Sequence, residues 1–204
     1  MRELVQGEAI VKPETIYYLP GHGGRLETGL GQALLSRGYN VSGRETIGEF
    51  REIPFSEQVA IIADDLTTHC WKPEGLVIAN SFGAYLFLHA QALLKPYIGK
   101  VMLLSPIVGE FSTEDTRTSF VPPQSGRLAQ LAQDGTYPTP KRCEIHVGEL
   151  DWQSIPANVV KLAGLLGMKV TVVPGEGHML DKQYVSAVLD RWLDVDRSES
   201  KFMG

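Results

Sequence analysis

Apolar residues along the chain fall into two patterns. Short, nearly unbroken runs rich in β-branched and aromatic residues occur at 15–19 (TIYYL), 39–41 (YNV), 76–80 (LVIAN), 100–105 (KVMLLS), 143–147 (CEIHV) and 169–173 (KVTVV). Strict apolar/polar alternation marks a sheet with one wet face; continuous apolar runs mark strands of a parallel sheet covered by helices on both sides. Longer segments with helical spacing lie between the runs, at roughly 26–37, 56–70, 82–94, 155–166 and 182–194. The third, FGAYLFLHAQALL, is apolar almost all round and predicts a helix buried against the sheet. In the last, Tyr184, Val185, Val188, Leu189 and Trp192 recur at helical spacing among polar residues, which predicts an amphipathic outer helix. The alternation predicts an α/β fold, a three-layer α/β/α sandwich with a mostly parallel sheet of about six strands and right-handed crossovers.

One interval breaks this rhythm. Residues 107–140 contain no strand-like run and are rich in Ser, Thr, Pro and Gly. Loops longer than ~15 residues are uncommon in compact domains and usually serve as lids or binding loops. Within this interval SGRLAQLAQ (125–133) predicts a short helix with Leu128, Leu131 and Ala132 facing inward. With no internal repeat and no linker, residues 1–204 read as a single domain carrying 107–140 as a candidate lid or cap. The ending RSESKFMG reads as a frayed tail.

Composition narrows the partners. A net charge of −5 supplies no basic face for nucleic acid. Two cysteines, Cys70 and Cys143, are too few for a disulfide framework or a four-cysteine metal site, and each reads as a small packed side chain. The opening MRELVQGEAIVKPE is charged where a secretory signal needs an apolar run, and no apolar stretch reaches the ~20 residues that span a bilayer. The expectation is a soluble, cytoplasmic protein with no nucleic-acid or membrane partner; the oligomeric state stays open.

The join between the third run and the buried helix carries the first chemical signal. A strand that turns into a helix at one residue brings the residues two before and two after it close together, so both must be small. Around Ser81 these are Ala79 and Gly83. Such a serine projects its hydroxyl above the sheet edge, at a helix N-terminus whose dipole favours developing negative charge. A serine is also a common helix N-cap, so this stretch alone leaves nucleophile and cap both open. A nucleophilic serine needs a base, and the base an orienting acid. Open α/β sheets bind ligands beyond the C-terminal ends of their strands. There the sequence places Asp151, in GELDWQSIP after CEIHV, and His178, in PGEGHML after KVTVV. Glu149 is the rival acid and Glu176 lies near His178; Asp151 is favoured because it sits further from its strand end, where the loop can bend back.

In this order, Ser then Asp then His, the chain resembles the α/β-hydrolase family over most of its length, from about Thr15 to the last helix. The motifs that carry the resemblance are ANSFGA, VGELDWQSIP and VPGEGHML. The resemblance implies that Ser81 is the nucleophile, His178 the general base and acid, and Asp151 the residue orienting His178. It further implies an oxyanion hole made by the backbone N–H of Phe82 and one from the loop LPGHGGRLE, with Gly24 the first expected donor and Gly23 the second. His22 is expected to brace that loop. Two departures stand out: Asn80 where many esterases have His or Asp, and Ala79 for the first glycine. Much of the antiparallel N-terminal sheet of larger members is also expected to be absent.

The implied activity is hydrolysis of a small ester or thioester through an acyl-serine, with no metal or organic cofactor. The same scaffold also hosts non-catalytic binding proteins, and the same triad C–C hydrolases and perhydrolases, so both remain open. A nucleotide site is disfavoured, since the glycines after the first run fit neither the Walker nor the G-x-G-x-x-G pattern. His69, His89 and His146 read as structural, His89 as a hydrogen-bonded core histidine, and no His pair has metal-ligand spacing. Asp64 and Asp65 read as positions on a solvated helix. His22, Trp152 and Met179, with Phe82, Phe111 and Phe120, are candidates to line a substrate pocket, or else ordinary core and lid packing.

Overall fold

The computed structural model describes residues 14–113 and 118–200. In chain order the elements are β1 (Thr15–Leu19), α1 (Leu30–Leu35), β2 (Asn40–Gly43), α2 (Gly48–Glu52), α3 (Phe55–Asp65), β3 (Leu76–Asn80), α4 (Phe82–Gln91), β4 (Lys100–Leu104), β5 (Phe111–Thr113), β6 (Thr118–Phe120), α5 (Arg127–Gln133), β7 (Arg142–Gly148), α6 (Pro156–Leu166), β8 (Lys169–Val173) and α7 (Lys182–Ser200). Six strands form one sheet in the order β2-β1-β3-β4-β7-β8, and every neighbouring pair is parallel.

The continuous apolar runs have a direct cause in the packing. Alternate residues of each strand enter different cores. Tyr17, Leu19, Val77, Ala79, Val101 and Leu103 pack with α3, α4 and α6 on one face. Ile16, Tyr18, Leu76, Ile78, Met102 and Leu104 pack with Leu34 of α1 and with Val188, Leu189 and Trp192 of α7 on the other. Because α4 lies over the sheet centre, its residues from Gly83 to Gln91 are buried on every side. No helix among the described residues is long and apolar enough to cross a membrane.

Several expectations need correction. The 107–140 interval does contain strands: β5 and β6 pair as an antiparallel hairpin with Phe111 opposite Phe120. Strands of three residues are too short to show a period in the sequence. α5 falls where expected, with Leu128 and Ala132 buried. The first helix is confined to Leu30–Leu35, because Gly29 at φ 53° opens it and the preceding residues form turns. α2 was not anticipated, and α3 runs on into a π-helical turn at Leu66–Cys70.

Asp65 is not solvated but 7% exposed. It accepts the Tyr17 hydroxyl at 2.7 Å and a bidentate pair from Arg44 at 2.6 and 2.7 Å. Both partners come from distant parts of the chain, so local pattern gives no sign of them. His89 is buried as expected, but its Nε2 has no hydrogen-bond partner. Its ring instead packs edge-on against those of Phe55 and Tyr85, which also touch each other. Burial, helped by the charge of Arg127, lowers its pKa to about 4, so the ring is neutral. His146 is held by Tyr184 at 2.7 Å and Glu144 at 2.6 Å, consistent with a structural role.

Candidate active site

β3 ends at Asn80 and α4 begins at Phe82, so the whole change of direction falls on Ser81. It adopts φ 52° and ψ −122°, a backbone region rarely populated by residues with a side chain. The close approach behind the turn explains the small neighbours. A Cβ on Gly83 would stand 2.2 Å from the Leu19 carbonyl oxygen and 2.4 Å from that of Pro20, and one on Gly21 would stand 3.1 Å from Ser81 Cβ. Ala79 is completely buried. The Ser81 N–H donates to the Leu104 carbonyl at 3.0 Å and its own carbonyl accepts from Tyr85 at 3.2 Å, which anchors the turn between β4 and α4.

The Ser81 side chain makes no capping bond to α4. Its Oγ instead lies 2.9 Å from His178 Nε2. The cap reading therefore does not hold, because an N-cap serine directs its oxygen at its own helix. On the far side of the ring, His178 Nδ1 lies 2.9 and 3.0 Å from the Asp151 carboxylate oxygens. Asp151 is 2% exposed. Burial alone would raise its pKa, but the bonds from His178 and the N–H groups of Ser154 and Gln153 outweigh that and hold the carboxyl below the usual range. Asp151 therefore stays ionised beside the imidazole.

The loops that carry these groups brace one another. Asp151 Oδ1 accepts the N–H groups of Gln153 at 2.9 Å and Ser154 at 2.8 Å, a turn of the Asx kind. The rival acid Glu149 makes no bond to His178 and instead accepts the Gly175 N–H at 2.9 Å, so it ties its own loop to the one that carries His178. The Leu150 N–H donates to the Glu176 carbonyl at 2.8 Å, and the Glu176 side chain accepts from Asp181 at 3.0 Å. Sequence reasoning missed Ser154. Its hydroxyl donates to the Ser105 carbonyl at 2.6 Å and stands 3.4 Å from His178 Nδ1. The Asp-Trp-Gln-Ser spacing, read as an Asx turn, was the available signal.

The glycine loop after β1 departs from expectation. The Gly24 N–H donates to the Gly21 carbonyl at 2.9 Å and to Thr46 Oγ1 at 3.1 Å. The Gly23 N–H donates to the Thr46 carbonyl at 3.2 Å. Both expected oxyanion donors are therefore already taken up inside the protein. Residues 21–24 form a hydrogen-bonded β-turn with Gly23 at φ 75°, the position at which a type II turn demands glycine. Among the described residues, the N–H groups of Gly21 and His22 in this loop, and of Phe82 at the start of α4, make no such bond.

An aromatic-rich cavity of about 270 Å³ opens beside the Ser81–Phe82 turn, lined by His22, Thr46, Phe50, Arg51, Phe55, Phe82, Leu86 and Phe120 among others. His22 lines it, with its ring edge-on to that of Phe82. Trp152 and Met179 do not: Trp152 packs against Phe111, and Met179 is 85% exposed. A second cavity of about 310 Å³ lies between α5 and α6, away from all of these groups, so size alone does not select the site.

No family model matches the chain, and no curated protein matches it in sequence. Solved structures do match over nearly the whole chain. A predicted CIB-like hydrolase from Thermoplasma acidophilum aligns with a TM-score of 0.60 at 15% identity, covering 91% of this chain and 88% of its own. Est1E from Butyrivibrio proteoclasticus aligns with a TM-score of 0.60 at 15% identity, covering 92% and 89%. A structure from work on carboxylesterases of the thaumarchaeon Nitrososphaera gargenis aligns with a TM-score of 0.59 at 12% identity, covering 92% of each chain. At these identities the likeness is one of architecture, and it agrees with the sheet order and the strand-to-helix turn at Ser81: the chain has the α/β-hydrolase fold.

Proposed function

We propose that this protein is a serine hydrolase that cleaves a small ester or thioester through an acyl-serine. The observation that carries the reading is the hydrogen-bonded line from Ser81 Oγ through His178 to a buried, ionised Asp151, on a serine held in a strained turn and making no helix cap. Ser81 Oγ attacks the substrate carbonyl while His178 Nε2 takes its proton. Asp151 keeps the Nδ1 proton in place and stabilises the imidazolium. The carbonyl oxygen becomes an oxyanion held by the N–H groups of Phe82 and His22, the latter replacing the donors expected from sequence. His178 then gives its proton to the leaving alcohol or thiol, takes one from water, and the acyl-serine is hydrolysed.

Strand order supports a placement for the two halves of the substrate. Ser81 follows the central strand β3, the His178 loop follows the edge strand β8, and the walls of the cavity include residues that follow β2 at the other edge. The leaving group must meet His178 to be protonated, so the acyl group takes the cavity on the opposite side. The descriptions of similar folds as hydrolases and carboxylesterases point the same way.

The test is a fluorophosphonate probe, with the adduct mapped by mass spectrometry. The expected result is one adduct on Ser81 and none on Ser81→Ala. A folded protein that resists the probe, or an adduct that persists in the alanine variant, overturns the reading.

A further inference from the structure

Thr46 is 3% exposed and forms four hydrogen bonds to the glycine loop after β1. Its N–H donates to the Gly24 carbonyl at 3.2 Å, and its carbonyl accepts from Gly23 at 3.2 Å. Its hydroxyl accepts from the Gly24 N–H at 3.1 Å and donates to the Gly21 carbonyl. The residues before it hold the same assembly. Glu45 accepts the Leu26 N–H at 3.0 Å, and Arg44 is clamped on the buried Asp65. The segment Arg44-Glu45-Thr46 therefore fastens the loop to the end of α3.

One of these bonds bears on chemistry. The Gly21 carbonyl and the His22 N–H belong to the same peptide plane, and the chain has no cis peptide among the described residues. In a trans peptide the carbonyl and the N–H point in opposite directions, so fixing one aims the other. The Gly21 carbonyl receives two donors, the Gly24 N–H and the Thr46 hydroxyl. Hydrogen bonds to a peptide carbonyl also polarise the unit and strengthen its N–H as a donor. Ser81 stands directly beside Gly21: its Oγ would lie 3.5 Å from a Cβ built there.

We propose that Thr46 is a positioning residue for the reaction: its hydroxyl sets the Gly21–His22 peptide plane so that the His22 N–H is preorganised toward the oxyanion. This rests on the acyl-serine reading above. Thr46 touches no reacting atom in this role. Its effect falls on the tetrahedral state, where charge develops on the oxygen, and not on ground-state binding.

The test compares Thr46→Val, which keeps the shape and the backbone bonds but removes the hydroxyl, with Thr46→Ser, which retains it. With a short p-nitrophenyl ester, Thr46→Val is expected to lower kcat about 10- to 100-fold, somewhat less than loss of an oxyanion donor, with little change in KM. An alkylboronic acid, which forms a tetrahedral adduct on Ser81, should weaken by a similar factor, while the unreactive amide of the same acyl group binds as before. Thr46→Ser should recover most of the loss. If the valine variant does not fold, Thr46→Ala is read in its place. Equal losses in the hydroxyl-bearing and hydroxyl-free variants, or parallel weakening of boronate and amide, overturn the proposal. If the parent enzyme is not labelled at Ser81, the acyl-serine reading itself fails; if it is labelled while Thr46→Val keeps full kcat, only the role of Thr46 fails.

Discussion

The Tyr18 hydroxyl donates to Asn80 Oδ1 at 2.8 Å, across the paired strands β1 and β3. Asn80 is the residue before Ser81, and its amide oxygen serves here as the acceptor for a buried tyrosine hydroxyl. Tyr18 is 3% exposed, and burial pushes its hydroxyl far above the usual range, so it remains a donor and needs an acceptor. Asn80→Ala should cost about 1–3 kcal/mol by leaving that donor unpaired, visible as a melting temperature lower by several degrees. Adding Tyr18→Phe should recover part of the loss, since removing both partners is cheaper than removing one. Strictly additive losses would show that the pair is not coupled.

The competition between Asp151 and Glu149 for the acid role has a kinetic consequence. Asp151 faces His178 Nδ1, whereas Glu149 holds the Gly175 N–H. Asp151→Asn should lower kcat on a short p-nitrophenyl ester by roughly 10³- to 10⁴-fold, because an amide does not hold the imidazole in the right tautomer or stabilise its cation. Glu149→Gln keeps an acceptor for Gly175 and should cost less than about tenfold. The reverse ranking would assign the role to Glu149.

Acid titration tests the buried carboxylate on the other side of the sheet centre. Burial by itself would raise the pKa of Asp65, but its bonds to Arg44 and Tyr17 prevail and hold it below its ordinary value. With the folded pKa depressed, the contribution of Asp65 to stability is fully present above its unfolded value of about 4. It is lost as pH falls through the folded value. Urea unfolding from about pH 6 down to pH 3 should therefore show the parent protein losing stability, with Asp65→Asn less stable near neutrality and converging on it in acid. A gap that does not change with pH would mean that Asp65 makes no ionised contribution.

The six strands of the sheet were legible because burial on both faces writes itself as unbroken apolar runs. Ser81, Asp151 and His178 were legible because each stands just past a strand end, and the structure brings all three within hydrogen-bonding distance. What escaped were bonds between a side chain and a distant backbone group. Thr46 on the glycine loop, Ser154 on the Asp151 turn, and Arg44 with Asp65 leave no periodic trace, since their partners are set only when the chain packs. The internal bonds of the expected donors have the same origin. His22-Gly23-Gly24 shows that a glycine turn lies beside the serine, but not that Gly23 and Gly24 turn their N–H groups onto Thr46 and Gly21.

On the acyl-serine reading, the Phe120 wall of the cavity should limit the length of the acyl chain. That residue lies on β6 of the hairpin, edge-on to Phe82 with ring centroids 6.5 Å apart, and is 39% exposed. At about 270 Å³ the cavity falls just below the ~300–1,000 Å³ of typical ligand pockets, so removing one wall residue enlarges it appreciably. Phe120→Ala removes an outer wall without touching Ser81, His178 or the glycine loop. Each methylene that then gains burial is worth ~0.8 kcal/mol, or about fourfold in kcat/KM when that contact is present in the transition state. A p-nitrophenyl ester series should accordingly shift its optimum toward longer acyl chains in Phe120→Ala, while acetate turnover changes little. An unshifted optimum would place the acyl chain away from this cavity, on the Met179 side of Ser81, and would reverse the assignment of the two halves of the substrate.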